Sequence, residues 1–140
     1  MPRVDFYILD THRNPEHLVC QLTQKACQQG LNITIRTADQ ATAQAMDDRL
    51  WTFGDISFIP HAVYHTHSPD PAPVQITWQD LPPTHRDLLV NLTGAIPDGV
   101  ENFARIVEIV AADEGSRGGA RQRYRDYRER GYELETHNID

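Results

Sequence analysis

The sequence predicts an α/β fold built on a largely parallel sheet flanked by helices, and three observations carry that expectation. A short apolar run, "VDFYIL" (4–9), precedes a helical pattern, which leads into the alternating run "NITIRT" (32–37). Strand, helix, strand is the βαβ unit, whose crossover helix leaves its two strands parallel. Further strand-like runs then recur up to residue 111, and one long helical pattern follows near the C-terminus.

Each element has its own local reason. "VDFYIL" is rich in β-formers and reads as a buried strand. In "NPEHLVCQLTQKACQQG", Asn14 stands as the N-cap, Pro15 at the first helical position and Glu16 in the first turn. Leu18, Val19, Leu22 and Ala26 repeat at helical spacing, and Gly30 closes the helix. Asp39 can cap a second helix, "QATAQAMDDRLWTF". "ISFIPHA" (56–62) is a short apolar stretch ended by Pro60, and "YHTHSPDPAP" (64–73) reads as an exposed loop. "VQITW" (74–78) and "DLLVNLT" (87–93) read as strands separated by the loop "QDLPPTHR", and "NFARIVEIVA" (102–111) reads as another. "GSRGG" (115–119) reads as a chain break before the last long helix, Gly131 is its C-cap residue, and "YELET" is a terminal strand or extended tail. With no repeat, low-complexity tract or linker, residues 1–140 are expected to form a single domain.

Composition narrows the class. Hydrophobic residues at 39% and charged residues at 24% suit a soluble globular protein. No apolar run is long enough to span a bilayer, and "MPRVDFYILD" lacks a signal-peptide pattern, so no membrane partner and a cytoplasmic location are expected. Cys20 and Cys27 make neither a disulfide scaffold nor a zinc set.

The loop after the first strand, "DTHRNP", has no glycine and no P-loop lysine, and neither G-x-x-x-x-G-K-[ST] nor G-x-G-x-x-G occurs in the chain. Nucleotide hydrolysis is therefore disfavoured. His61, His65 and His67 need a further ligand and a rigid frame to hold a metal, and their Pro-rich loop reads as solvated. No nucleophile motif is present, and Asp47 and Asp48 read as a solvated helix face. No catalytic residue, metal or cofactor is assigned. The alternative held open is a small-ligand or nucleotide-binding α/β enzyme lacking the usual glycine fingerprint.

Charge gives the positive signal. The chain carries a formal net charge of -7, yet six of its 13 basic residues fall between Arg117 and Arg130, where only two acidic residues accompany them. An acidic body disfavours wrapping by nucleic acid, which needs many phosphate contacts at once. A small basic patch suits a compact anionic partner instead. At about 100° per residue, Arg117, Arg121, Arg125 and Arg128 share one sector of a helix. Ala120, Tyr124 and Tyr127 form the neighbouring apolar stripe, with Tyr124 on the border. Macrodipole and solubility effects explain some of these arginines, but not a four-member row beside an aromatic. Elsewhere, Trp51, Phe53 and Phe58 cluster within eight residues, either as core or as an apolar patch for a partner protein.

Together, "DFYIL", "LW.....FIPH" (50–61), "DLLVNL" (87–92) and above all "ARQRYRDYRERGYELETH" (120–137) resemble the chi subunit family of bacterial DNA polymerase III over nearly the whole chain. The resemblance implies a Rossmann-like three-layer fold and a non-catalytic accessory role at the clamp loader. It implies a pocket for the acidic C-terminal tail of single-stranded-DNA-binding protein, with DNA engaged only indirectly. By position, Arg117, Arg121, Tyr124 and Arg125 match that pocket, with Arg128 one turn on, and Val110, Leu134 and Thr136 match its walls. Arg stands at 117 and 125 where the family pattern has Lys, which keeps the charge and adds a bidentate fork. A second family surface binds the psi subunit, and Trp51 and Phe58 match its aromatic positions, where another clamp-loader protein is also possible.

Overall fold

A computed structural model describes residues 3–11, 13–52, 61–63, 72–79, 81 and 86–139. Among them, seven strands alternate with three α-helices: β1 (Arg3–Leu9), α1 (Pro15–Gln28), β2 (Ile33–Arg36), α2 (Gln40–Thr52), β3 (His61–Val63), β4 (Val74–Thr77), β5 (Leu88–Asn91), β6 (Arg105–Val110), α3 (Glu114–Glu129) and β7 (Glu133–Ile139). A 3₁₀ turn, Val100–Asn102, precedes β6. The strands form one sheet in the order β3-β4-β2-β5-β6-β1-β7, and every neighbouring pair is parallel.

Strand parity divides the core into two layers. Ile33, Ile35, Val74, Ile76, Leu88, Val90 and Val107 pack under Val19 and Cys20 of α1 and Ala43, Met46 and Leu50 of α2. Their strand neighbours Leu89 and Ile106 point the other way and join Val4, Phe6 and Val110 beneath Ala120 and Tyr127 of α3. Helices therefore cover both faces, as a parallel sheet requires.

The helix ends follow their local chemistry. The Asn14 side chain accepts from the His17 backbone N–H, and the Asp39 carboxylate accepts from that of Thr42 at 2.8 Å. Gly30 and Gly131 hold φ of 80° and 90°, the left-handed conformation that favours glycine. After α3, the Gly131 N–H reaches the Arg128 carbonyl and the Tyr132 N–H reaches that of Tyr127, which forms a Schellman motif. The Tyr127 and Tyr132 rings, 5.4 Å apart, supply its apolar contact.

One expectation is corrected. "GSRGG" does not break the chain but makes the first turns of α3. The Asp113 carboxylate accepts from the Ser116 N–H at 2.8 Å and its carbonyl accepts from the Arg117 N–H, so a strong cap offsets the poor helix propensity of three glycines. Asp47 also departs from a wholly solvated face, because His61 Nε2 lies 3.2 Å from its carboxylate.

Candidate functional site

The arginine row forms one wall of an open cavity of about 480 Å³ between α3 and the edge of the sheet. Arg117, Arg121, Tyr124, Arg125 and Arg128 come from α3, Val110 from the end of β6, and Thr136 from β7. Seven of the eight residues assigned to the tail pocket from the sequence thus line one cavity. Leu134 does not line it but packs with the hydrophobic cluster beneath α3.

Burial separates the two kinds of surface. Val110 and Ala120 are buried, Tyr124 is half-buried, and all four arginines are exposed. Arg121 is held loosely by Glu114, at 3.4 Å across two turns of the same helix. Arg117, Arg125 and Arg128 have no ion-pair partner among the described residues. Tyr124 leans on Phe6 with ring centroids 5.5 Å apart, so its ring is fixed as a wall. An apolar floor beside unpaired guanidinium groups can take a carboxylate on the forks and an apolar side chain below.

Sequence reasoning missed two parts of this region. Phe6 and Ile8, on the cavity-facing parity of β1, and Asn138, two residues beyond Thr136, also line the cavity. The second is the buried anchor of α3. Arg123 Nε donates to Glu108 Oε1 at 3.0 Å, while Tyr127 Oη and Asn91 Nδ2 donate to Oε2 at 2.7 and 2.8 Å. Burial pushes the Glu108 carboxyl above its ordinary value, and the Arg123 charge with the three donors opposes that push. A signal existed in the pattern. Glu108 interrupts the apolar run "RIVEIV", and Arg123 falls on the stripe of Ala120 and Tyr127 rather than in the arginine row.

The aromatic patch is only partly described. Trp51, at the end of α2, is 57% exposed and stands edge-on to the buried His61 ring at 4.8 Å. His61 is a packed core residue rather than an open ligand. Phe53, Phe58, His65 and His67 lie outside the described residues.

A second ionic cluster occupies the opposite face of β1 and β7. Asp5 accepts from Arg3, Arg105 and His137, and Glu135 accepts from Arg3. Asp5, Glu135 and His137 are spaced closely enough to hold a metal ion, but two guanidinium groups already occupy the Asp5 oxygens, so the geometry is that of an ion-pair network.

Fold and site together define a parallel α/β domain with an arginine-lined pocket and no phosphate loop. The chain belongs to the DNA polymerase III chi subunit family: the family described as DNA polymerase III chi subunit, HolC, matches residues 1–135. The DNA polymerase III subunit chi of Pseudomonas aeruginosa is 39% identical, covering 99% of this chain and 98% of that protein. Those of Haemophilus influenzae and Escherichia coli are 32% and 30% identical, each covering at least 95% of both chains. Family membership places the chain among accessory subunits of the replicative DNA polymerase. Among the described residues no helix is long and apolar enough to cross a membrane.

Proposed function

We propose that this chain is a non-catalytic adaptor that binds the acidic C-terminal tail of single-stranded-DNA-binding protein and links it to the clamp loader through a psi subunit. The observation that carries the reading is the pairing, in one cavity, of four exposed arginines with an apolar floor under Tyr124. A tail with acidic side chains, an aromatic ring and a free terminal carboxylate complements both halves. Val110 and Thr136 shape the cavity, and Leu134 supports it from the cluster below. The exposed Trp51, with Phe58, is the surface proposed for psi or another clamp-loader protein. DNA is reached only through the tail-bearing partner, because the rest of the chain is acidic.

The test is a titration of a labelled acidic C-terminal peptide of single-stranded-DNA-binding protein. Micromolar binding is expected to weaken with salt. Arg121→Ala should cost about tenfold or more, since a charge-assisted hydrogen bond contributes about 1.5–3 kcal/mol. No binding at low salt would overturn the proposal.

A further inference from the structure

A larger cavity, of about 580 Å³, lies away from the arginine row. It sits beyond the carboxyl ends of β2, β5 and β6, with Thr37, Leu92 and Ala111 on its walls. The chain leaves β6 for α3 on one face of the sheet and leaves the adjacent β1 for α1 on the other. This is a topological switch point, the place where open α/β sheets accommodate ligands. The helix starts nearby carry no argument by themselves, since their caps are filled by Asn14, Asp39 and Asp113.

The independent observation is Arg123. Its side chain is 8% exposed, and it lines this cavity although its neighbours in the arginine row line the other. Glu108 fixes Nε and the Gly94 carbonyl fixes Nη1, while Nη2 has no hydrogen bond among the described residues. Gly119 makes room for the guanidinium, because a Cβ there would stand 3.2 Å from Nη1. Gly94 and Gly119 both line the cavity. Leu92, Ile109 and Ala111, all partly exposed, give the cavity its apolar wall, and Glu16 and Asp113 add carboxylates.

We infer that this crevice is a second binding site, for a small organic monoanion whose carboxylate meets Arg123 and whose ring-sized apolar body rests against Leu92, Ile109 and Ala111. The volume falls within the usual range for small-molecule sites. Polyphosphates are disfavoured relative to a single carboxylate. The Asp113 carboxylate already holds the Ser116 N–H that a phosphate would use, and Glu16 and Asp113 repel a multiply charged group. The site takes one charge and an apolar body, and it is independent of the tail pocket.

The test uses indole-3-carboxylate and benzoate as probes, with ATP as a control, followed by amide chemical shifts of the full chain. Saturable shifts centred on Gly94 and Gly119 are expected from the carboxylates and not from ATP. Ala45, an exposed residue on the cavity wall, gives a plugging variant that does not touch the core. Ala45→Phe should weaken the probes about tenfold or more while leaving tail-peptide binding unchanged. Shifts confined to Arg117, Arg121, Tyr124, Arg125 and Arg128, unsaturable shifts, equal binding by Ala45→Phe, or equal binding of ATP would each overturn the inference. The tail peptide, titrated on the same samples, reads the arginine row separately.

Discussion

Tyr127 donates a 2.7 Å hydrogen bond to Glu108, and both side chains are fully buried beneath the helix that carries the arginine row. Glu108 also takes Arg123 and Asn91, so α3 is fixed to β6 through a polar knot as well as by apolar packing. The arginines on its outer face therefore project from a helix whose rotation is locked.

Cutting that knot on one side should be costly. Arg123→Met leaves the Glu108 carboxylate buried without its countercharge and should destabilise the fold by about 3–5 kcal/mol. Tyr127→Phe, which removes one donor to a charged acceptor, should cost about 1.5–3 kcal/mol. Urea unfolding measures both, and the double variant Glu108→Gln with Arg123→Met should recover part of the loss.

The loose Glu114–Arg121 pair competes internally for an arginine of the pocket. Exposed pairs of this kind are weak, so Glu114→Gln should tighten an acidic peptide by only about two- to fivefold. The gain should shrink as salt rises, which calorimetric titration at two ionic strengths would show.

Gly131 closes α3 at a φ of 90°. Gly131→Ala forces an L side chain into the left-handed region and should cost about 1–2 kcal/mol. A thermal melt reads the loss, and hydrogen exchange should locate the loosening at the last turn of α3.

Asp5 gives the pH dependence a sign. Burial favours its neutral form, but hydrogen bonds from His137, Arg3 and Arg105 overcome that and hold its carboxyl below the ordinary carboxylate value. Its contribution is therefore present above the unfolded value of about 3.9 and is lost as pH falls through the lower folded value. Glu108 is shifted upward and acts in the opposite sense, so the measurement is a difference. The fall in stability of the native chain below about pH 4 should exceed that of Asp5→Asn in acid unfolding curves.

Much of this architecture was legible because it is written locally. Asn14, Pro15 and Gly30 mark the ends of α1, and the apolar runs around Phe6, Ile33 and Ile76 mark strands by their own pattern. The spacing of Arg117, Arg121, Arg125 and Arg128 is also local, since helical geometry alone puts them in one sector. "GSRGG" was misleading because glycine propensity points away from a helix, while the cap on Asp113 and the packing of Ala120 and Tyr127 decide for one. Arg123 was missed for the opposite reason, since nothing near it in the chain reveals Glu108, fifteen residues away.

By itself the sequence determined the elements, the sidedness of α3 and the absence of a phosphate loop, since each depends on neighbours a few residues apart. The tertiary structure alone decided which strands adjoin. Pairing β1 with both β6 and β7 sets Phe6 and Ile8 against Val110 and Thr136 and so builds the floor of the arginine pocket. It also opened the crevice beyond the carboxyl ends of β2, β5 and β6 and placed Arg123 in its lining. Those contacts join residues as much as 130 positions apart, and only the closing of the sheet brings them within reach of one another.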